Sequence, residues 1–306
     1  MSAARVARRH LSFLTNDRFR HQLASICLIT VFAIVSIQRL ALSLADNTLW
    51  IDLYIYREAA IAWLTGGDPY AVAVHGFTFA GTPPALLAFI PAALMPVWIA
   101  IPIYAGVFAL GWLATVRLLQ LPIWWLLFPP AAEAVFVVNP DALLVLLLLY
   151  GGPLAGTAIM LKSYAAIPAA LQRRWGALAV GAALSLITLP LWIGYIQRGQ
   201  ALNVALQQQA NGGLSAWGTW LVIPTIVALV AIRGRGASWL IVPALWPYTQ
   251  LHYAAIAVPY ARKSPLVAFL LSFANPLFPA FAVMLEAARV QLWPRLASRL
   301  EARGRR

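Results

Sequence analysis

The sequence predicts an all-α, polytopic membrane protein: a single integral membrane domain over residues 1–306, with roughly eight to ten membrane helices and an amphipathic first outer loop. Three observations carry this. Hydrophobic residues make up 62% of the chain and charged ones only 10%, against about a quarter in a water-soluble domain. Mean hydropathy is +0.79, and the apolar residues gather in runs of membrane length. The basic residues gather at the flanks: Arg5, Arg8, Arg9, Arg18 and Arg20 precede the first run, and a segment from Arg289 to Arg306 follows the last. A net charge of +13 would also suit nucleic acid. Placed beside apolar runs, it is better explained by anchoring against anionic lipid on the cytoplasmic side, and no nucleic-acid partner is expected. Cys27 is the only cysteine, so no internal disulfide forms.

Residues 1–22 read as a basic cytoplasmic N-terminus, and Leu23 to Leu44 as the first span. Ser43-Leu44-Ala45 resembles a signal-cleavage site. The long polar region before the span, with Gln38 and Arg39 inside it, points to an uncleaved anchor instead. An outer loop follows over residues 45–82. Its stretch Asp46 to Tyr70 holds Asp46, Asp52, Glu58 and Asp68, four of the nine acidic residues. A helix from about Ile51 to Leu64 is expected there, stopped by Gly66-Gly67 and a turn at Asp68-Pro69. On a helical repeat Asp52, Tyr56, Ala59 and Trp63 share one face, which suggests a short amphipathic helix lying along a membrane surface.

Ala85 to Met95 is too short to cross about 30 Å of hydrocarbon alone, whereas Trp98 to Leu119 is long enough. Leu121 to Val138 is broken by Pro129-Pro130. Ala142 to Tyr150, Leu154 to Leu161 and Ala165 to Leu171 are short apolar runs, the last ending at Arg173-Arg174. Gly176 to Ile196 and Trp217 to Ile232 form a pair joined by a polar outer loop with Gln207, Gln208, Gln209 and Asn211. Ser238 to Tyr260 and Pro265 to Ala288 admit two layouts: single tilted spans, or pairs of short helices broken at Pro247 and at Asn275-Pro276. The basic tail, residues 289–306, returns to the cytoplasm.

Ionisable groups at membrane depth are expensive and mark function. Asp52 reads as a general base, or as a carboxylate near the start of its helix where the dipole favours an anion. Asp68 reads as a turn former that also shapes a site, and Glu58 as a partner of Arg57 or a lipid headgroup. Lys162 suits a phosphate oxygen, or snorkels to the interface. Asn139 and Asp141 read as helix-start residues. Glu133, just after a proline pair, has no such explanation. His75 and His252 stand alone, without metal-ligand spacing, and no metal is assigned; His252 suits a substrate hydroxyl. Trp63 and Trp217 are interfacial residues or stacking surfaces. No phosphate-cradling glycine loop is present, so nucleotide-driven chemistry has no support.

Asp52-Leu53-Tyr54-Ile55-Tyr56-Arg57-Glu58-Ala59, followed by Leu64-Thr65-Gly66-Gly67-Asp68-Pro69-Tyr70, resembles the first outer loop of GT-C fold glycosyltransferases. It is most similar to the bacterial polyprenyl-phosphate-mannose-dependent mannosyltransferases and related arabinofuranosyltransferases. Thr82-Pro83-Pro84, Met160-Leu161-Lys162-Ser163-Tyr164, Arg173-Arg174-Trp175 and Gln250-Leu251-His252-Tyr253 resemble later elements in the same order. Thr82 stands where the family carries an aromatic, Ser163 where it carries a proline, and Asn139-Pro140-Asp141 where a G-Q or G-N pair is usual.

The resemblance implies Asp52 as catalytic base, with Lys162, His252, Tyr56, Asp68, Tyr70 and Asn139 toward substrate. It implies a sugar on polyprenyl phosphate as donor, a lipid or glycan acceptor, no cofactor, and a site facing outside in a multi-pass cell-membrane protein. The competing reading is a non-enzymatic transporter or flippase for lipid-linked sugars, or a scaffold in cell-envelope assembly; the breaks at Pro129-Pro130 and Asn275-Pro276 fit a transporter, which gives no special reason for a carboxylate on an amphipathic outer helix.

Overall fold

The computed structural model describes residues 17–202, 204, 215–232 and 234–304, and these are overwhelmingly helical. Arg5, Arg8, Arg9, Arg233 and the polar loop with Gln207, Gln208, Gln209 and Asn211 lie outside the described residues. Helix α1 spans Asp17–Ala45 and α2 spans Ile51–Leu64, the latter with the bounds expected from its glycine stop. A small antiparallel hairpin, Ala73–Val74 with Phe77–Thr78, turns at His75 and Gly76, both at positive φ. A 3₁₀ segment over Pro83–Phe89 then leads toward α3, Val97–Leu118.

Helices α4 (Pro129–Val137) and α5 (Asp141–Tyr150) meet at 113°. Helix α6 is Ala155–Leu161. Helices α7 (Trp175–Ile187) and α8 (Leu189–Gln197) meet at 83°, so the run over 176–196 is not one straight span. The break falls at Thr188, one residue before the first turn of α8, where Pro190 has no amide to extend α7. Helix α9 is Val222–Ile232, α10 is Ser238–Leu245, and α11 is Phe278–Gly304.

Of the two layouts open after Ser238, the chain takes the broken one. Helix α10 ends before Pro247, and a 3₁₀ turn, Leu251–Ala257, follows. A short helix, Pro265–Leu270, ends before Asn275-Pro276, where the Asn275 side chain accepts the Leu277 amide at 3.0 Å ahead of α11. Among the described residues, α1 (from Gln22) and α3 are long and apolar enough to cross a membrane; counting each bent pair as one span gives up to four. Their outer faces stay apolar and uncovered: Ile34 is 60% exposed, Leu110 65% and Val230 on α9 71%. Surfaces of this extent mark a contact with lipid or protein.

The core has two main parts. In one, Phe32 of α1 packs edge-on to Trp125 at 5.4 Å and against Phe128 at 5.2 Å. The other surrounds α2, whose Ile51, Leu53, Ile55, Tyr56, Ala59 and Ala60 are all buried. The amphipathic surface helix expected from the sequence is thus a packed one. Its apolar residues cover more than one face, and Phe79, Leu86 and Phe89 pack with it in one cluster, with Phe79 and Phe89 against Tyr56.

Helices α6 and α7 touch through glycine. A Cβ on Gly156 would lie 2.5 Å from the Val180 Cβ and 2.8 Å from the Ala177 carbonyl oxygen, and one on Gly181 would lie 2.8 Å from Ile159. Gly156→Ala is therefore expected to destabilise the protein by about 1–3 kcal/mol, because a β-branched side chain and backbone cannot give way. Gly106→Ala in α3, where nothing lies within 4 Å, is expected to be neutral or mildly stabilising. Thermal unfolding of the two variants in detergent checks this.

Candidate functional site

The site begins with a corner. Val138 ends α4 in the left-handed conformation, φ 57 and ψ 50, a region that costs a β-branched residue about 1–2 kcal/mol. Two bonds hold the turn: Val138 N–H to the Val135 carbonyl at 3.2 Å and Asn139 N–H to the Ala134 carbonyl at 2.7 Å. Were the helix continuous, residue 140 would donate to the Phe136 carbonyl. Pro140 has no amide proton, and that carbonyl instead accepts from Trp50 N–H at 3.0 Å. Trp50 heads α2, itself at φ 62, so the bond sets the first turn of α2 against the corner. Asp52 then lies opposite Asn139.

Asn139 uses both ends of its amide. The side-chain oxygen accepts the Asp141 amide at 3.0 Å, tying down the start of α5. The Nδ2 group donates to Asp52 Oδ2 at 2.7 Å and stands 3.2 Å from His252 Nε2. Asn139 thus both ties down the start of α5 and lines the cavity described below. With its two protons so used, His252 Nε2 is the acceptor and Nδ1 carries the ring proton; this tautomer is inferred from the bonding pattern. Nδ1 faces Glu133 Oε2 at 3.9 Å, and Nε2 lies 3.7 Å from Asp141 Oδ2.

Two further carboxylates close the network. Glu133 Oε1 accepts from Arg39 through Nε at 2.9 Å and through Nη2, while its Oε2 is buried without a partner among the described residues. Asp141 is 1% exposed; it accepts the Tyr164 hydroxyl through Oδ1 and leaves Oδ2 unpartnered. Lys162 leaves α6 in an extended conformation. Its ammonium stands 5.5 Å from the Tyr253 ring centre and 5.8 Å from that of Tyr56, within cation–π range. Tyr56 is fixed in turn by stacking on Phe89 at 4.3 Å.

A cavity of 470 Å³ joins these groups, lined among others by Asp52, Tyr56, Glu133, Asn139, Lys162 and His252. It falls in the usual size range of small-molecule sites, about 300–1,000 Å³. Of the residues singled out in the sequence, Asp52, Tyr56, Asn139, Lys162 and His252 come together here. Asp68 and Tyr70 do not line the cavity. Asp68 accepts the Tyr70 amide at 2.8 Å and pairs with Arg198, so its turn-forming role is what the geometry shows. Tyr70 is 3% exposed and stacks behind the cavity-lining Phe79 at 5.4 Å. Trp63 and Trp217 also lie off the cavity. Glu58 pairs with Arg57 at 2.6 Å, one of the two partners expected.

Sequence reasoning missed Arg39 as a partner and gave Glu133 no role, although each is a charge inside an apolar run and thus costly without a counter-ion. Tyr164, Trp246 and Tyr253, which also line the cavity, carry no sequence signal distinct from core aromatics.

Burial pushes the Asp52 carboxyl above its ordinary value of 3.8, with the Lys162 charge and the Asn139 bond pulling it partly back. Burial alone would lower the Lys162 ammonium, but Tyr56, Asp141 and Asp52 outweigh it and hold that group above an ordinary lysine. Among the described residues Asp52 makes no bond through Oδ1, which leaves an oxygen for a proton. Lys162 supplies a fixed positive charge, and no carboxylate forms an ion pair with it among the described residues. Nor do the described residues place three or more His, Cys, Asp or Glu side chains to hold a metal ion. Chemically, the arrangement can take a proton from a neutral donor beside a bound anion.

Because Glu133 is 6% exposed at the side chain, Arg39→Met strands a buried charge and is expected to cost about 3 kcal/mol in a denaturant melt. The double variant Arg39→Met/Glu133→Gln is expected to recover most of that loss. Comparison with known proteins returns no match to this chain from any family model, curated protein or solved structure.

Proposed function

We propose that the protein is a multi-pass membrane glycosyltransferase of GT-C type, moving a sugar such as mannose from a polyprenyl-phosphate donor to a lipid or glycan acceptor on the outer face. The observation that carries this is one cavity holding both a half-buried carboxylate, Asp52, with an oxygen unbonded among the described residues, and a lysine, Lys162. Asp52 takes the proton of the acceptor hydroxyl as its oxygen attacks the anomeric carbon. The bond from that carbon to the phosphate oxygen breaks, and the electron pair leaves with the polyprenyl phosphate, beside Lys162. Attack opposite the leaving group inverts the anomeric centre. Asn139 keeps Asp52 turned toward the cavity, and Tyr56 and His252 form the wall that meets the sugar. Asp68 and Tyr70 shape that wall from behind. The uncovered apolar faces of α1, α3 and α9 support placement in a bilayer, with the lipid tail of the donor lying between helices.

The 113° break between α4 and α5, with Asn139 at the bend and facing the cavity, also fits a transporter of lipid-linked sugars. Purified protein with labelled polyprenyl-phosphate sugar and membrane lipid separates the two. Under the enzyme reading, Asp52→Asn is expected to lower transfer by about 10²–10⁴-fold and Lys162→Met by about 10²–10³-fold, with folding retained. Movement of label across vesicles without transfer supports the transporter instead. Undiminished transfer by Asp52→Asn removes Asp52 as the base.

The raised Asp52 value fixes the sign of the pH response. The base form is lost at a higher pH than for a free carboxylate, so the acid limb of the rate profile is expected above 3.8. Lys162 lowers the Asp52 value, so residual activity of Lys162→Met is expected to show that limb shifted further up. The two-sided topology is checked by cysteine labelling in a Cys27→Ser background. Thr65→Cys is expected to react with an impermeant maleimide from outside, and Lys263→Cys only from inside.

A further inference from the structure

At the far end of α1 from the cavity lies a second opening, a groove of 510 Å³ between the start of α1, the end of α3 and the segment before Pro265. Its apolar wall is made of Leu28, Pro122 and Trp124, with Trp124 stacked on Trp125 at 5.5 Å and tilted against Phe32 at 5.5 Å, and Ser25 and Gln120 line it beside them. Its rim is cationic. Arg262 donates through Nη1 to the Leu119 carbonyl at 2.7 Å, which fixes that guanidinium at the mouth and closes the end of α3. Lys263 beside it is exposed, and no carboxylate pairs with either residue among the described residues. Among the described residues, no acidic side chain lines the groove.

Ala24 lines this groove and Leu42 lines the cavity, so the two openings are separated by about 27 Å of helical rise along α1. That is close to the roughly 30 Å of bilayer hydrocarbon. Tryptophan beside two adjacent cations at this depth is the composition of a headgroup boundary.

We propose that this groove seats the phosphate of an anionic glycerophospholipid from the leaflet opposite the cavity. The phosphate sits against Arg262 and Lys263, and an acyl chain runs along Leu28 and Trp124. The proposal rests on the bilayer placement argued above and not on the sugar chemistry. It also puts Arg262 and Lys263 on the basic N-terminal side of the membrane.

The test uses the full chain in neutral detergent, offered equal phosphatidylglycerol and phosphatidylcholine and read by native mass spectrometry. Wild type is expected to retain the anionic lipid over the zwitterionic one by about tenfold, the effect of one charge-assisted contact. Lys263→Gln, which leaves the Arg262 bond to Leu119 in place, brings that ratio near one. Lys263→Arg keeps it, and Arg198→Gln at the other end of the molecule leaves it unchanged. No preference in wild type, or an unaltered preference in Lys263→Gln, overturns the groove. Recovery of the protein in the soluble fraction after an alkaline wash overturns the bilayer placement itself, a separate outcome.

Discussion

The amide of Asn139 is the constraint on which the cavity depends. One planar group binds the start of α5 through its oxygen and spends its two protons on Asp52 and His252. Three segments distant in sequence are thereby held to one orientation. A flipped amide would turn its oxygen toward a carboxylate, so the network admits one arrangement. In a low-dielectric interior such a group stabilises strongly when satisfied and costs strongly when it is not. Asp52 inherits its aim from this, and Lys162 meets it from across the cavity.

Much of the local fold could be read from the chain. Gly66-Gly67 fixed the end of α2, and the apolar lengths of α1 and α3 were plain. The breaks near Pro247 and Asn275-Pro276 were visible as one of two layouts, because proline lacks a backbone donor and an asparagine side chain offers the backbone a competing acceptor. The burial of α2 was not visible. Its helical repeat spreads apolar residues over several faces, and only the fold of Pro83–Phe89 against it decides which are covered.

Within the site, residue type was the guide that worked. Asp52, Lys162 and His252 stood out as rare polar groups in apolar surroundings, and they share one cavity. Asp68 and Tyr70 were placed toward substrate by the family resemblance, and a turn carried them behind the wall. The Arg39–Glu133 pair joins two helices far apart in the chain. Each half is legible as an anomaly, but the pairing is a property of three dimensions alone. The two ends of α1 also differ in charge balance: carboxylates gather with Arg39 and Lys162 at the cavity, while the cations at the groove have no carboxylate partner among the described residues, a polarity that composition by itself concealed.

Pro140 has a further consequence for how the chain is assembled. The loop bearing Asp52 takes one of its anchoring bonds from the Phe136 carbonyl, an oxygen left vacant because the residue four places on lacks a hydrogen. During synthesis that oxygen does not exist until α4 has been made. The segment bearing α2 therefore emerges well before its anchor and waits for it, and Asp52 gains its address only when the corner closes.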